Sequence, residues 1–227
     1  MNTLSCTRLG CSLERQNGAT SHRRLGLRLL RFMFVVALVS ASPPVRAEDG
    51  PESHGGTFLR LSGGPGYARS VASPGGKQYT FDGGGATLSI AIGGCIIENL
   101  ALHAEVFGAS IVGPSVKIDG NQVASGGRDS SLTSFGMGAG LTYYFMPTNL
   151  YLSASFGLGQ VSAREGGLEV QSDTGMAADF LIGKEWWVSA NWGLGIAGQL
   201  VLTSVPARQE SSFVTTGVGI LLSATYN

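Results

Sequence analysis

Hydrophobic and polar residues alternate with a period of two along most of the chain beyond residue 50. The clearest run covers 134–145, where one face carries mainly Phe, Met, Leu and Tyr side chains and the other carries mainly Ser, Gly and Thr. A period of two places successive side chains on opposite faces of a β-strand. The alternation recurs at 150–159 and 213–226, and in weaker form near 57–67, 85–94, 99–112, 174–186 and 191–203. The pattern therefore predicts an all-β chain of eight strands.

The connections between these strands alternate in length. Short connections lie at 95–98, 146–149 and 187–190. Longer polar connections, rich in Gly and Ser, lie at 68–83, 113–131, 163–173 and 204–211. An even number of strands with short turns at one end and long loops at the other is typical of a bacterial outer-membrane barrel. We therefore predict an eight-stranded antiparallel up-and-down transmembrane β-barrel, with short periplasmic turns and four longer extracellular loops.

The alternation alone does not say which face of the strands points outward. Soluble proteins cover their water-facing strands with Lys, Glu and Arg, whereas the small-residue face here is mostly Gly, Ser, Thr and Ala. The interior of an eight-stranded barrel is only just wide enough for its own side chains. We therefore predict that the large apolar side chains face lipid while glycines and hydroxyl side chains fill the interior. A closed sheet also satisfies the backbone hydrogen bonds inside the hydrocarbon region.

The N-terminal residues have a different composition from the rest of the chain. Residues 1–31 are rich in Arg and precede an uncharged apolar run at 32–41. A run of about ten residues is too short for a membrane-spanning helix, which needs roughly 20, but it suits the apolar core of a secretory signal peptide. Small residues offer cleavage after Ala47, or alternatively after Ala41. We predict a signal peptide at 1–47, a short N-terminal periplasmic segment at 48–56, a barrel at 57–227, and a location in the bacterial cell outer membrane.

The charge balance argues against one class of partner. Charged residues make up 13% of the 227 residues, about half of the roughly 25% that is usual. Residues 1–47 hold seven Arg and one acid, which leaves eight basic and 14 acidic residues in the remainder of the chain. Phosphate binding requires a basic face, so nucleic acid is not expected as a partner.

Few charged residues fall within the predicted strands, namely Arg60, Glu105, Asp179, Lys184 and Glu185. Arg60, Glu105 and Asp179 occupy inward positions near the middle of their strands, and His103 shares its strand face with Glu105. Buried charges are tolerated when they are paired. We therefore predict a structural polar network in the lumen made of Arg60, His103, Glu105 and Asp179, in which Arg60 pairs across the lumen with Glu105 or with Asp179.

Aromatic residues gather near the short-turn end of the predicted barrel. A girdle of aromatic side chains marks each membrane interface of such barrels. The predicted interfacial girdle consists of Tyr143, Phe145, Trp186, Trp192 and Tyr226. Lys184 is predicted on the lipid side near Trp186, where its long side chain reaches toward the head groups.

The chain offers little catalytic chemistry. Cys95 is the one cysteine beyond the leader, which excludes an internal disulfide and a cysteine-based metal site in the mature chain. His103 and Glu105 with a nearby Ser would suit a lipid-modifying acyl hydrolase, but such an enzyme must present its nucleophile to lipid, and this pair shares the inward face. We predict no catalytic residue, no cofactor and no metal.

The strand and turn pattern resembles that of the small OmpA/OmpX-type outer-membrane barrels. The run 183–195 (GKEWWVSANWGLG) is similar to a signature of uncharacterised deltaproteobacterial outer-membrane barrels, and 99–105 (NLALHAE) is similar to a second-hairpin segment of that group. The resemblance covers about 57–227. It implies insertion by the barrel-assembly machinery and contact with outer-membrane lipid and lipopolysaccharide.

We therefore predict a non-enzymatic integral outer-membrane protein with a structural or surface-interaction role, in which the long loops meet an unknown extracellular partner. A narrow, porin-like passive channel for small solutes is the alternative. A lipid-modifying barrel enzyme is a second alternative.

Overall fold

A computed structural model describes residues 53–127, 129–207 and 211–227 of the chain. The predicted signal peptide at 1–47 and positions 48–52 of the predicted periplasmic segment lie outside the described residues. In the described part of the chain, no helix is long and apolar enough to cross a membrane.

The described residues form eleven strands. In chain order these are β1 (Thr57–Ala72), β2 (Tyr79–Ile97), β3 (Leu100–Val112), β4 (Ser115–Ile118), β5 (Asn121–Ser125), β6 (Ser131–Phe145), β7 (Leu150–Glu165), β8 (Leu168–Gln171), β9 (Gly175–Trp187), β10 (Trp192–Ala207) and β11 (Ser211–Tyr226).

Eight of the strands close into a barrel. Each of β1, β2, β3, β6, β7, β9, β10 and β11 pairs antiparallel with its neighbours in this order. The first and last strands also pair, from Leu59 opposite Tyr226 to Ala72 opposite Phe213. The prediction of an eight-stranded antiparallel up-and-down barrel is therefore confirmed. We call the end with the three short connections the turn end and the opposite end the loop end.

The barrel strands extend further at the loop end than the alternation predicts. β1 continues to Ala72 and β2 begins at Tyr79, so that 73–78 is all that remains unpaired of the predicted loop at 68–83. A single 3-10 turn lies within this connection. Pairing satisfies the backbone amide and carbonyl groups whichever side chains the strand carries. The strands therefore continue after the apolar alternation has stopped.

The predicted loop at 204–211 is shorter for the same reason, because β10 continues to Ala207 and β11 begins at Ser211. These extensions bring further charged residues into strands, including Arg69 and Asp82. The expectation that five charged residues lie in strands is therefore wrong.

The predicted loop at 113–131 contains a hairpin, β4–β5. The last residue pair between β2 and β3 at this end is Gly85 with Ile111. β4 then takes the place of β3 beside β2, beginning with Ser115 opposite Asp82, and β5 pairs with β4. This hairpin prolongs the barrel wall beyond β3.

The predicted loop at 163–173 contains β8. The pairing of β7 with β9 ends with Gly159 opposite Gly175. β8 then continues beside β7, with Gln171 opposite Ser162. The barrel wall is therefore also prolonged beyond β9.

Large apolar side chains cover the outer surface of the barrel, which confirms the predicted orientation. Exposed side chains of this kind include Leu61, Leu88, Ile90, Leu102, Met137, Leu141, Leu152, Phe156, Ile182, Leu194, Ile196, Val218, Ile220 and Leu222.

The interior is less uniform than the predicted filling of glycines and hydroxyl side chains. An apolar cluster lies near the turn end and consists of Phe58, Ala91, Ala101, Tyr144, Tyr151, Leu181, Ala197 and Leu221. A second lies near the loop end and consists of Ala68, Phe107, Ala109, Ile111, Leu132, Val161, Ala177, Val201 and Val205. The glycines make room for these larger side chains, since a Cβ at Gly136 would lie 2.5 Å from Cε2 of Phe107.

Candidate functional site

Arg60 projects from β1 into the middle of the lumen and is fully buried. Its Nη1 donates to Oγ1 of Thr142 at 3.2 Å, and its Nη2 donates to Oγ of Ser153 at 2.9 Å. Nη2 also lies 3.5 Å from Oε1 of Glu105. The guanidinium carbon lies 5.0 Å from the ring centroid of Tyr151, within the range of a cation–π contact. The charge on Arg60 is thus balanced by a carboxylate, two hydroxyls and an aromatic face.

Glu105 accepts hydrogen bonds on both carboxylate oxygens. Ser89 donates to Oε1 and Ser155 donates to Oε2. With Arg60 close to Oε1, the buried carboxylate is held by one cation and two hydroxyls, which offsets the cost of removing it from water. Ser89 on β2 and Ser155 on β7 therefore stabilise the buried carboxylate of Glu105.

His103 lies beside this ion pair. Its Nε2 is 2.9 Å from Oγ1 of Thr142, and its Nδ1 is 3.9 Å from Oε2 of Glu105. The imidazole is tilted against the ring of Phe58, with centroids 5.4 Å apart. His103 and Glu105 are both buried inside the barrel.

Asp179 belongs to a second group of polar side chains in the lumen. Its Oδ1 accepts a hydrogen bond from Nε2 of Gln199 at 2.8 Å, and the same amide nitrogen lies 3.3 Å from the carbonyl oxygen of Leu88. The sequence predicted that Arg60 pairs with either Glu105 or Asp179, and in the structure Glu105 lies at ion-pair distance from Arg60.

Sequence reasoning missed the neutral members of these groups. They are Ser89, Thr142, Ser153, Ser155 and Gln199. All of them occupy inward positions of the period-two alternation, so the sequence pattern already placed them in the lumen. Which of them contact Arg60, Glu105 or Asp179 depends on closure of the barrel, which brings together strands that are far apart in the sequence.

The residues of the predicted girdle lie at the turn end on the outer surface. Tyr143 and Phe145 contact each other edge to face, with centroids 4.8 Å apart. Trp192 and Tyr226 make a similar contact at 5.4 Å. Trp186 is exposed.

Lys184 lies next to this girdle. Its Nζ is 5.7 Å from the ring centroid of Trp186 and donates to the carbonyl oxygen of Thr148 at 2.6 Å. The side chain therefore runs along the outer wall to the short turn between β6 and β7.

His54, which the sequence did not single out, closes the turn end of the lumen. Its ring stacks on Tyr144 at 3.5 Å between centroids and lies 4.8 Å from the ring of Trp187. Its Nε2 is 2.7 Å from Oδ1 of Asn149, and its backbone nitrogen donates to Oδ1 of Asn99 at 3.0 Å. Burial lowers the pKa of His54, and hydrogen bonding to Asn149 opposes this shift.

The interior therefore holds an apolar cluster toward each end of the barrel together with a polar group around Arg60. A closed, even-numbered antiparallel barrel with an apolar outer surface and aromatic residues at the interface is an outer-membrane-type transmembrane β-barrel.

No protein-family model matches the chain, and no curated protein matches it. Its fold is similar to several solved structures. Neisserial surface protein A is 18% identical with a TM-score of 0.48, and the match covers 74% of this chain and 96% of that one. OprG of Pseudomonas aeruginosa is 11% identical with a TM-score of 0.45, covering 78% and 100%. The outer membrane protease OmpT of Escherichia coli is 8% identical with a TM-score of 0.45, covering 80% and 99%.

At these identities the similarities concern the fold and do not bear on activity. The resemblance to deltaproteobacterial barrels stays a prediction.

Proposed function

We propose that this protein is a non-enzymatic integral protein of the bacterial outer membrane, exported by its N-terminal leader, whose barrel serves as a closed anchor for the loop end. The observation that carries this proposal is the filled interior. Buried side chains occupy the lumen at both ends, including Phe58 and Tyr144 near the turn end and Phe107 and Ile111 near the loop end.

The filled interior favours the anchor role over the narrow passive channel. A solute channel needs a continuous polar passage, as in porins, whose interior is polar and filled with water. Here large buried side chains such as Phe58, Tyr151 and Phe107 form two apolar clusters, one toward each end of the lumen. These side chains take up space that a water-filled passage would need.

The position of His103 and Glu105 disfavours the lipid-modifying enzyme. The hydroxyls that contact Glu105 are those of Ser89 and Ser155, and all four residues are buried inside the barrel. A nucleophile for lipid substrates would have to face the membrane. The arrangement instead satisfies the hydrogen-bonding groups of a buried ion pair.

The surface role belongs to the loop end, where β4–β5 and β8 project from the barrel. An ion pair lies at each projection: Nζ of Lys117 lies 2.9 Å from Oδ1 of Asp82, and Nη2 of Arg164 lies 3.1 Å from Oε2 of Glu169. We propose that these projections meet lipopolysaccharide and an extracellular partner, and that the barrel-assembly machinery inserts the chain.

Single-channel recording in planar bilayers tests the closed-anchor proposal. We expect the purified, refolded protein to leave the bilayer silent. A double variant, Phe58→Ala with Phe107→Ala, removes a large buried side chain from each apolar cluster and serves as the positive comparison. Steady openings of the unaltered protein would establish the channel instead.

A further inference from the structure

A cluster of charged and aromatic side chains lies on the outer wall of the barrel near the loop end. We call it the Arg69 cluster; its members are Tyr67 and Arg69 on β1, Asp82 on β2 and Lys117 on β4. The strand register places these side chains on one face, since Arg69 lies opposite Asp82, and Thr80, on the same face as Asp82, lies opposite Lys117. This face is the outer one, because Ala68, between Tyr67 and Arg69, belongs to the apolar cluster inside the lumen.

Asp82 holds two of its neighbours in place. The hydroxyl of Tyr67 donates to Oδ2 of Asp82 at 2.5 Å, and Nζ of Lys117 lies 2.9 Å from Oδ1. The side chain of Asp82 is 13% exposed and that of Lys117 is 35% exposed, while Arg69 is exposed. The carboxylate is therefore largely covered, and the two cationic groups are more accessible from outside the barrel.

The Arg69 cluster is positively charged. Arg69 and Lys117 carry two positive charges and Asp82 one negative charge, which gives a net charge of +1. In the residues above it, Lys77 and Asp119, whose Oδ1 accepts from the backbone nitrogen of Gln78 at 3.0 Å, add one charge of each sign.

A second ion pair on the outer face at the loop end joins Arg164 on β7 to Glu169 on β8, and this pair is neutral as a whole. Of these two outer-face groups, the Arg69 cluster is the one suited to an anion.

The height of the Arg69 cluster on the barrel matches the outer edge of the membrane. Leu59 lies opposite Tyr226 of the aromatic girdle at the turn end, and Arg69 follows ten residues later on the same strand. With a rise of about 3.3 Å per residue and a tilt of about 35–45°, Arg69 lies about 25 Å from the girdle along the barrel axis. The apolar band of such barrels is also about 25 Å tall. The cluster therefore lies at the level of the outer-leaflet head groups.

From these observations we propose that the Arg69 cluster binds a phosphate group on the glycolipid anchor of lipopolysaccharide, the lipid of the outer leaflet. The proposal rests on the proposed contact of the loop end with lipopolysaccharide and names the residues of that contact. β2 separates β1 from β4, and neighbouring strands are about 4.8 Å apart, so the long side chains of Arg69 and Lys117 can reach one phosphate. Arg offers paired N–H donors to phosphate, and Lys adds a point charge.

Native mass spectrometry of the refolded protein in detergent micelles tests this site. The probes are lipid A with two phosphate groups and digalactosyldiacylglycerol, a glycolipid without phosphate, each titrated in EDTA so that divalent cations do not bridge anionic groups. We expect lipid A to bind at least about tenfold more tightly than the neutral glycolipid. Arg69→Gln should weaken the binding of lipid A about tenfold.

Two further variants make the test specific. Arg164→Gln removes the same charge from the other ion pair and should leave the affinity for lipid A within about twofold of the unaltered protein. Asp82→Asn keeps an acceptor for the Tyr67 hydroxyl and removes the negative charge of the cluster, so it should tighten the binding of lipid A about two- to fivefold. A residue with a purely structural part in the wall would not give a gain.

Equal weakening by Arg69→Gln and Arg164→Gln would show attraction by overall charge and overturn the proposal. Equal binding of the two glycolipids would show that the acyl chains or sugars carry the contact, and would overturn it as well. Heat-modified migration of each variant on a gel confirms that its barrel is closed. Planar-bilayer recording tests the closed anchor independently, so the failure of one proposal is distinguishable from the failure of the other.

Discussion

Arg60 and Glu105 form the centre of the molecule at the scale of single residues. Each is fully buried, and each is held by neutral hydroxyls as well as by the other. The Coulombic attraction in a buried pair barely exceeds the cost of desolvating both ions, so the pair adds little net stability over an apolar pair of the same shape. Removal of one partner is different, because it leaves the other charge buried and unpaired.

We expect Arg60→Met to lower the free energy of unfolding by about 3–5 kcal/mol, because Glu105 loses its cation. Chemical denaturation of the refolded barrel in detergent micelles measures this loss. Arg69→Met, at an exposed position of the same strand, is the matched control and should change stability by less than about 0.5 kcal/mol. Adding Glu105→Gln to Arg60→Met should cost less than the sum of the two single changes; additive losses would mean that the two side chains act independently.

His54 gives the turn end a dependence on pH. Burial lowers its pKa below the ordinary value of 6.5, so the folded protein favours the neutral imidazole. Below about pH 6.5 the unfolded chain therefore binds more protons at His54 than the folded protein does. The contribution of buried, neutral His54 to folding stability is complete above about pH 6.5 and declines as the pH falls.

Unfolding midpoints compared between pH 8 and pH 5 measure this effect. His54→Phe keeps a ring that can stack on Tyr144 and removes the titrating group, so the variant should lose less stability on acidification than the unaltered protein. Because all other titratable groups are the same in both proteins, the difference between their losses of stability on acidification reports on His54 alone. Equal losses in both would show that His54 does not contribute.

At the scale of the strands, small residues on one strand match large residues on its neighbours. Gly136 on β6 lies opposite Phe107 on β3, and the Phe107 ring occupies the space that a side chain on Gly136 would need. The glycine is therefore a packing residue of the loop-end cluster.

Gly136→Val should destabilise the barrel by about 1–3 kcal/mol, because the added methyl groups overfill the interior and displace the ring of Phe107. Phe107→Ala alone should also destabilise it, by about 3–5 kcal/mol, through the cavity that it leaves. The double variant should be more stable than the sum of the two losses predicts, since one change fills space that the other vacates. The readout is again denaturant unfolding in micelles, and a strictly additive double variant would contradict the packing account.

At the scale of the whole molecule, closure by β1 and β11 gives every barrel strand two neighbours. A closed sheet leaves no long edge exposed to lipid, so it is stable in hydrocarbon and in detergent. Its many pairings between strands must separate together for the barrel to open.

Heat-modifiability on a gel tests this closure. We expect the protein, extracted from membranes in detergent, to migrate differently before and after boiling, because the unboiled sample keeps its compact barrel. A variant that lacks β11, residues 211–227, cannot close and should migrate identically in both samples. Identical migration of the unaltered protein in both samples would contradict a detergent-stable barrel.

The alternation of side chains, the lengths of the connections and the scarcity of charge were together enough to predict the eight barrel strands, their antiparallel order and the face that meets lipid. These features follow from the period of two, which each strand carries within its own residues, and from the near absence of charge on either face. The inward positions of Arg60, His103, Glu105 and Asp179 follow from the same period.

Only the tertiary structure decided which inward residues meet. Glu105 on β3 contacts Ser155 on β7, and Arg60 on β1 contacts Ser153 on β7; such contacts depend on strand register and barrel closure, which local alternation does not contain. The tertiary structure also decided the lengths of the strands, the extensions β4–β5 and β8, and the position of His54 at the turn end. These features depend on backbone pairing and packing, which continue where the hydrophobic pattern stops.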